Sequence, residues 1–327
     1  MLGAMLGLVA AAPPALQPRF EQSAVPDPQG SALEAGIWAP DGDSVNLPLV
    51  VISHGSGGEF RNHEDIARAL AKAGFVVAAV THSGDNRHDR SAATAVWERP
   101  RHLKLLVDHM LGSWRGRRRI DPARVGAFGF SSGGFTVLVA AGGVPDLGRV
   151  REHCRARPAL FDCRLSADAR RDRPDRPDVD WSHDPRIKAV VAAAPALGFT
   201  FSKSGLAKLR VPVQLWRAGA DEILPHPLYV EPVRKALPRR ADYRVAEGAG
   251  HFDFLPPCPP PLAEARPDLC RSAAGFDRSA FHQALAGDIV TFFRRHLTGS
   301  RRLKGLGSAV KHRPRSTGEW PHRAILL

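Results

Sequence analysis

The feature that most constrains the fold is the stretch Gly129-Phe130-Ser131-Ser132-Gly133, a G-x-S-x-G pattern with an apolar segment on each side. Residues 124–130 have the character of a short strand, and residues 134–141 can continue as a buried helix. A serine on a sharp strand-to-helix turn is typical of a nucleophile elbow. Such a turn forces Ser131 into a rarely populated backbone conformation, so the flanking glycines must be small. The context predicts that Ser131 is a nucleophile; an ordinary glycine-rich turn is the alternative.

A nucleophilic serine needs a base, and the base needs an acid that orients it. After an elbow these partners follow in the order acid, histidine, each just past a strand. Asp221 follows the strand-like segment 211–217, and His251 follows the shorter segment 243–246 on a glycine-rich loop. We therefore predict Asp221 as the acid and His251 as the base. Glu222 is the alternative candidate for the acid. If neither prediction holds, Asp221 is a solvated carboxylate or a helix cap, and His251 is an ordinary surface histidine.

A second glycine-rich loop provides candidate oxyanion donors. The apolar run 49–52, of the kind buried in a parallel sheet, leads into Ser53-His54-Gly55-Ser56-Gly57-Gly58. Glycines allow backbone N–H groups to face a substrate oxygen, and we predict the N–H groups of Ser56 and Ser132 as the donors. The alternative of a phosphate-binding loop lacks the Lys-Ser/Thr that a P-loop requires. We expect His54 to support the loop through a hydrogen bond rather than to act as the base.

Several motifs together carry a resemblance to known proteins: Ser53-His54-Gly55-x-Gly57-Gly58, Gly129-Phe130-Ser131-x-Gly133-Gly134, Gly219-x-Asp221 and Gly250-His251-Phe252. The most specific part is the segment 251–258, with residues 275–278 after it. From about Leu33 to Leu297 the chain resembles the bacterial serine hydrolases described as predicted dienelactone hydrolases. These in turn are similar to the plasma-type platelet-activating-factor acetylhydrolases.

The resemblance implies an α/β-hydrolase fold with Ser131 as nucleophile, Asp221 as acid, His251 as base, and Ser56 and Ser132 as oxyanion donors. True dienelactone hydrolases use a cysteine nucleophile, whereas this chain has Ser131, so ester hydrolysis is implied rather than dienelactone as substrate. The expected enzyme is a carboxylic ester hydrolase that needs no metal or organic cofactor. A phospholipase or acetylhydrolase-like lipid esterase and a polyester hydrolase share this chemistry. A non-catalytic binding protein of the same fold is the alternative of another class.

The domain organisation follows from the alternation of apolar strand segments and amphipathic helical segments. It predicts one α/β domain over residues 30–298, with a mostly parallel central sheet flanked by helices. Between residues 144 and 184 Arg, Asp and Pro dominate, which predicts an insertion after the nucleophile helix, either a lid or a solvated loop. We expect Asn62 to cap a helix. Four apolar residues at helical spacing predict a C-terminal helix on the sheet: Phe281, Leu285, Ile289 and Phe293.

The net charge of +13 raises the question of a nucleic-acid partner. Seven Lys or Arg residues and one acid, Glu319, lie after residue 300, so residues 299–327 are predicted to be a basic disordered tail. No recognised nucleic-acid-binding motif is present, and two tyrosines offer little stacking surface. We expect a small-molecule or lipid ester as the partner, no nucleic acid, and weak attraction to anionic surfaces.

The N-terminal residues 1–20 are predicted to be a signal peptide or a disordered segment. The first twelve are apolar, end in an A-x-A pattern at Ala10–Ala12, and resemble the central region of a secretory signal. The first basic residue is Arg19, so the usual basic start is missing. We expect a periplasmic or secreted protein, with the cytoplasm as the alternative, and no transmembrane segment.

The four cysteines fall into two local pairs, Cys154 with Cys163 and Cys258 with Cys270. Four cysteines allow three connectivities. Local pairing is favoured because each pair brackets an irregular, proline-containing stretch, and neither pair has the C-x-x-C spacing of zinc or redox sites. Free thiols in a cytosolic protein are the alternative. The second bridge is expected to anchor the loop that carries His251.

Overall fold

The computed structural model of this chain describes residues 17–169 and 179–299. Most of the predicted N-terminal segment 1–20, the centre of the insertion, and the basic tail except its first residue lie outside the described residues. The described residues form one eight-stranded sheet in the order β1-β2-β4-β3-β5-β6-β7-β8. The strands are β1 (Arg19–Val25), β2 (Leu33–Ala39), β3 (Leu47–Ser53), β4 (Val76–Val80), β5 (Ile120–Phe130), β6 (Ile187–Ala193), β7 (Val213–Ala218) and β8 (Asp242–Ala246).

The sheet is mostly parallel, as predicted. Strands β3 to β8 run parallel to one another, whereas β1 and β2 form an antiparallel edge. The carboxyl ends of the parallel strands therefore meet at one edge, where sites form in such sheets. The sheet starts at Arg19, whereas the sequence predicted a domain that starts at residue 30. The predicted start was too late because most residues of β1 are polar and exposed and give little apolar signal.

The described helices cover both faces of the sheet. They are α1 (Glu64–Lys72), α2 (Glu98–Gly112), α3 (Ser132–Ala140), α4 (Arg149–Ala156), α5 (Phe161–Ala169), α6 (Val230–Ala236), α7 (Pro260–Ala265), α8 (Pro267–Cys270) and α9 (Arg278–Phe293). Helices α2, α3 and α6 pack on one face, and α1 and α9 pack on the other. Along β3 alternate residues enter the two cores, Leu49 and Val51 on one face and Val50 and Ile52 on the other, which explains its continuous apolar run.

Two local expectations have different outcomes. The predicted C-terminal helix is α9, and Leu285, Ile289 and Phe293 are buried in the core that it shares with the sheet. The prediction that Asn62 caps a helix was wrong for α1, although Asn62 does take part in the cap of a shorter helix before it. Asn62 lies inside a short 3₁₀ helix, Phe60–His63, that precedes α1, and its side-chain oxygen accepts a hydrogen bond from the Glu59 N–H. It therefore closes the preceding turn, and α1 begins only at Glu64.

Both predicted disulfides are formed, Cys154–Cys163 and Cys258–Cys270. The first joins α4 to α5 within the insertion. The second closes the loop that includes α7 and α8. Two bridges favour an extracellular or periplasmic environment, where disulfides persist. None of the described helices has the length and apolarity needed to cross a bilayer.

The described part of the insertion packs against the domain rather than standing free of it. The His153 ring of α4 stacks on Phe199 with ring centroids 3.7 Å apart. The Tyr229 hydroxyl donates to the Asp162 carboxylate of α5 at 2.8 Å. Tyr229 is fully buried and lies just before α6. These contacts dock the α4–α5 hairpin on segments that follow β6 and β7; a lid function stays a prediction.

Candidate active site

Ser131 lies on the turn between β5 and α3 with φ 56° and ψ −119°. This backbone conformation is rare for a residue with a side chain, as the elbow pattern predicts. A Cβ atom on Gly129 would lie 2.1 Å from the Gly133 carbonyl oxygen, and one on Gly133 would lie 1.9 Å from the Ser53 oxygen. Both positions therefore require glycine, and the crowding fixes Ser131 at the carboxyl end of β5.

The structure brings the three sequence-predicted side chains into one hydrogen-bonded row. The His251 Nε2 atom lies 3.0 Å from Ser131 Oγ, and His251 Nδ1 lies 2.8 Å from Asp221 Oδ2. The imidazole is 2% exposed. A carboxylate can only accept, so the Nδ1–H donates to Asp221 and Nε2 is left to accept the serine proton. This tautomer is the one that a base next to a serine nucleophile needs.

Backbone contacts fix the orientation of Asp221 and separate it from Glu222. The Oδ1 atom of Asp221 accepts hydrogen bonds from the Ile223 and Leu224 N–H groups at 3.1 and 2.7 Å, which leaves Oδ2 facing the imidazole. Glu222 Oε2 lies 3.4 Å from the backbone N–H of His251. Glu222 thus contacts the main chain of His251, whereas Asp221 contacts its ring.

The loop that carries His251 is attached to the second disulfide loop. His251 begins a short 3₁₀ helix that ends at Phe254. The buried Arg278 guanidinium donates to four backbone carbonyls, those of Phe252, Leu255, Leu269 and Cys270. Two of these carbonyls lie close to His251 in the chain, and two lie at the end of the disulfide loop. The bridge and His251 are therefore connected through one side chain.

The predicted oxyanion loop forms a tight turn against Ser131. The Gly58 N–H donates to the Gly55 oxygen at 3.1 Å, and Gly57 has a φ of +73°, which glycine adopts most readily. A Cβ atom on Gly55 would lie 3.4 Å from Ser131 Cβ. No described residue accepts a hydrogen bond from the Ser56 N–H. The Ser132 N–H is the first of α3 and has no acceptor within the helix.

The structure adds a buried ion pair behind this loop that the sequence interpretation missed. Asp85 Oδ1 accepts from the Ser56 hydroxyl at 2.9 Å and from the Gly57 N–H at 3.0 Å. Asp85 Oδ2 accepts from Arg99 Nη1 at 2.7 Å, and both side chains are almost fully buried. Asp85 had a sequence signal, because it follows β4 at the same sheet edge as the oxyanion loop. Arg99 had none, since only tertiary packing reveals its burial.

His54 supports the loop through hydrogen bonds, as expected, and takes no place beside Ser131. Its Nδ1–H donates to the Gly55 oxygen at 2.6 Å, and its Nε2 accepts from the His82 N–H at 3.0 Å. Burial, with a smaller effect of the Arg99 charge, holds the pKa of His54 well below its usual value. The ring is therefore neutral and acts as a fixed donor and acceptor.

One group of potential metal ligands lies close together among the described residues, namely His153, Asp162 and Cys163. The sulfur of Cys163 is bonded to Cys154 in the first disulfide, and Asp162 accepts from Tyr229. The contacts of these three residues hold α4 and α5 together and attach them to the domain.

Comparison with protein families gives one finding for the first part of the domain. Residues 33–152 match the model of the dienelactone hydrolase family. This range includes the oxyanion loop, the elbow and α3, and it ends before β7 and β8, which precede Asp221 and His251. No curated protein matches the sequence.

Proposed function

This chain belongs to the α/β-hydrolase superfamily, and on that premise we propose that it is a serine-dependent carboxylic ester hydrolase. The observation that carries the proposal is the continuous row of hydrogen bonds from Asp221 through His251 to Ser131. The strained backbone of Ser131 supports the proposal, because such strain is concentrated at functional sites. Its position at the N-terminus of α3 also favours the negative charge that develops during the reaction. The two disulfides support a periplasmic or secreted location.

The geometry supports a two-step mechanism. Ser131 Oγ attacks the ester carbonyl carbon while His251 Nε2 takes the hydroxyl proton, and Asp221 stabilises the imidazolium that forms. The N–H groups of Ser56 and Ser132 stabilise the oxyanion of the tetrahedral intermediate. His251 then gives its proton to the departing alcohol, leaving the acyl group on Ser131. A water molecule, deprotonated by His251 Nε2, then attacks the acyl-enzyme. The bond between the acyl carbon and Ser131 Oγ breaks, His251 returns the proton to Oγ, and the carboxylic acid is released.

A fluorophosphonate probe tests the proposal, because it labels only an activated serine. We expect one labelled peptide, containing Ser131, and no labelling of the Ser131→Ala variant. An unlabelled but folded wild-type protein would favour the non-catalytic binding protein instead.

The substrate class is open to a direct comparison within the proposed chemistry. Nitrophenyl esters of graded acyl length separate enzymes that cleave short acyl groups, a general esterase or an acetylhydrolase-like enzyme, from a phospholipase that cleaves long ones. Release of soluble acids from a polyester film identifies the third candidate. The highest rates with the shortest acyl chains are the expected pattern for a general esterase or an acetylhydrolase-like enzyme, whereas rates that rise with chain length favour a phospholipase.

A further inference from the structure

We propose that Arg99 is a positioning residue for the oxyanion hole, which sets the loop of Ser56 against the first turn of the helix that begins at Ser132. The inference rests on the proposed function, because it concerns the two N–H groups that would bind the oxyanion. Arg99 touches neither the substrate site nor the reacting atoms. It acts through the segments on which the two donors lie.

The contacts of Arg99 are those of a cross-link. Arginine is almost never fully buried unless it is paired, and Arg99 is 2% exposed. Each of its three nitrogens donates to a different group. Nη1 donates to Asp85 at 2.7 Å, Nη2 donates to the His54 carbonyl oxygen, and Nε donates to Thr136 Oγ1 at 3.2 Å. The planar guanidinium fixes the relative directions of these three bonds.

Two of the three bonds hold the loop of Ser56. The His54 carbonyl lies two residues before Ser56 and is bonded directly. Asp85 accepts from the Ser56 hydroxyl and from the Gly57 N–H with its other oxygen. The loop is thus held before Ser56, at its side chain and after it. Together with a hydrogen bond from Arg90 Nη2 to the Ser56 hydroxyl at 3.1 Å, these contacts set the orientation of the Ser56 N–H.

The third bond reaches the other proposed donor. Thr136 Oγ1 accepts from Arg99 and donates its own proton to the Ser132 carbonyl oxygen at 2.7 Å. Thr136 lies one turn into α3, so this pair of bonds attaches the first turn of the helix to the guanidinium. The two donors therefore lie on separate segments that share one cross-linking group.

Small displacements matter at such a site. Oxyanion donors act at about 2.7–3.1 Å from the developing charge, and loss of one donor costs about 10²–10³-fold in kcat. A lysine keeps the charge beside Asp85 but lacks the planar fork, so it cannot keep three bonds in fixed directions. Arg99→Lys separates a positioning role from simple neutralisation of a buried carboxylate.

The matched control is Arg101 on the same helix. Arg101 donates two bonds to the buried Asp27 carboxylate, at 2.6 and 2.9 Å, and makes no contact with the oxyanion loop. Arg101→Lys therefore removes a guanidinium that is hydrogen-bonded to a buried aspartate, as Arg99→Lys does. The Arg101 side chain is 20% exposed. A loss of stability alone affects both variants, whereas a positioning effect is confined to Arg99.

The experiment compares kcat, KM, Tm and the rate of fluorophosphonate labelling at Ser131. We expect Arg99→Lys to lower kcat and the labelling rate about 10- to 100-fold, below the cost of losing a whole donor, with KM within about threefold. Arg101→Lys should lower Tm and leave kcat within about twofold. Thr136→Val keeps the side-chain shape and removes both hydrogen bonds of Thr136 Oγ1, the one from Arg99 and the one to the Ser132 carbonyl oxygen. It should lower kcat about fivefold.

The outcomes separate this inference from the function on which it rests. Equal kcat and labelling rates in wild type and Arg99→Lys, with only Tm reduced, would overturn the positioning role while leaving the esterase intact. If Arg99→Lys does not fold, Thr136→Val decides, and wild-type kcat in that variant also overturns it. Absence of labelling in the wild type would instead remove the proposed function itself.

Discussion

The two halves of the candidate site are held in place by different means. The oxyanion loop and the elbow follow β3 and β5, neighbouring central strands whose side chains are buried on both faces. Asp221 and His251 follow β7 and β8 at one edge of the sheet, where β8 is only partly buried. The central half is therefore positioned mainly by core packing. The edge half needs additional hydrogen bonds and a covalent bridge.

Each half of the site contains one buried arginine, and the two arginines bind different kinds of partner. Arg99 pairs with a carboxylate, Asp85, at 2.7 Å. Arg278 lies 3.7 Å from Asp253 and makes its hydrogen bonds to backbone carbonyls instead. Carbonyl positions depend on the path of the chain, and the Cys258–Cys270 bridge constrains that path. The edge half should therefore respond to reduction, whereas the central half should respond to loss of a charge pair.

The largest expected effect concerns the acid of the edge half. Asp221→Asn should lower kcat about 10⁴-fold, as the analogous change does in a serine protease, because an amide favours the wrong imidazole tautomer. Glu222→Gln is the matched control, since Glu222 contacts only the backbone of His251, and it should change kcat by less than about fivefold. A larger loss in Glu222→Gln than in Asp221→Asn would mean that the acid is Glu222.

Loss of the second disulfide should affect catalysis as well as stability, because this bridge lies in the edge half of the site. Removing the Cys258–Cys270 bridge by paired serine substitutions should lower the free energy of unfolding by about 3 kcal/mol and also lower kcat, because the bridge constrains the carbonyls that Arg278 binds. The same substitutions at Cys154 and Cys163 should lower stability with little change in kcat. Equal catalytic losses in the two variants would show that the first bridge also supports the site.

A smaller effect is expected from pH, and it comes from a buried histidine beneath the elbow strand. Burial lowers the pKa of His63 to about 4, and its ring packs edge-on against Phe128 and Phe130. The unfolded chain takes up a proton near pH 6.5, so the contribution of His63 is complete above that pH and is lost as pH falls toward 4. By linkage this loss amounts to about 2.5 kcal/mol at pH 4.5.

His63→Phe should therefore flatten the decline in the free energy of unfolding between pH 6.5 and 4.5, measured by denaturant titration. Replacement of the exposed His88 by Gln is the control and should leave the decline as in the wild type. Parallel pH curves for His63→Phe and wild type would show that other groups cause the acid sensitivity.

The sequence allowed the central half to be predicted because its signals are local. Continuous apolar runs indicated the buried strands. The glycines at positions 129 and 133 indicated a tight turn, in which neither position has room for a Cβ atom. What it could not report depends on long-range contacts. Arg99 and Thr136 are far apart in the chain and meet only after folding. The edge strand β1 escaped prediction because most of its residues are polar and exposed, so its sequence carries little apolar signal.

The most direct test of the account is the turnover of a nitrophenyl ester by the Ser131→Ala variant beside the wild-type protein, with Tm measured for both. We expect a fall in kcat of about 10³-fold or more at an essentially unchanged Tm, because the substitution removes the proposed nucleophile and leaves the packing around the elbow intact. Activity of the folded variant within a few-fold of wild type would contradict the central claim that Ser131 is the nucleophile.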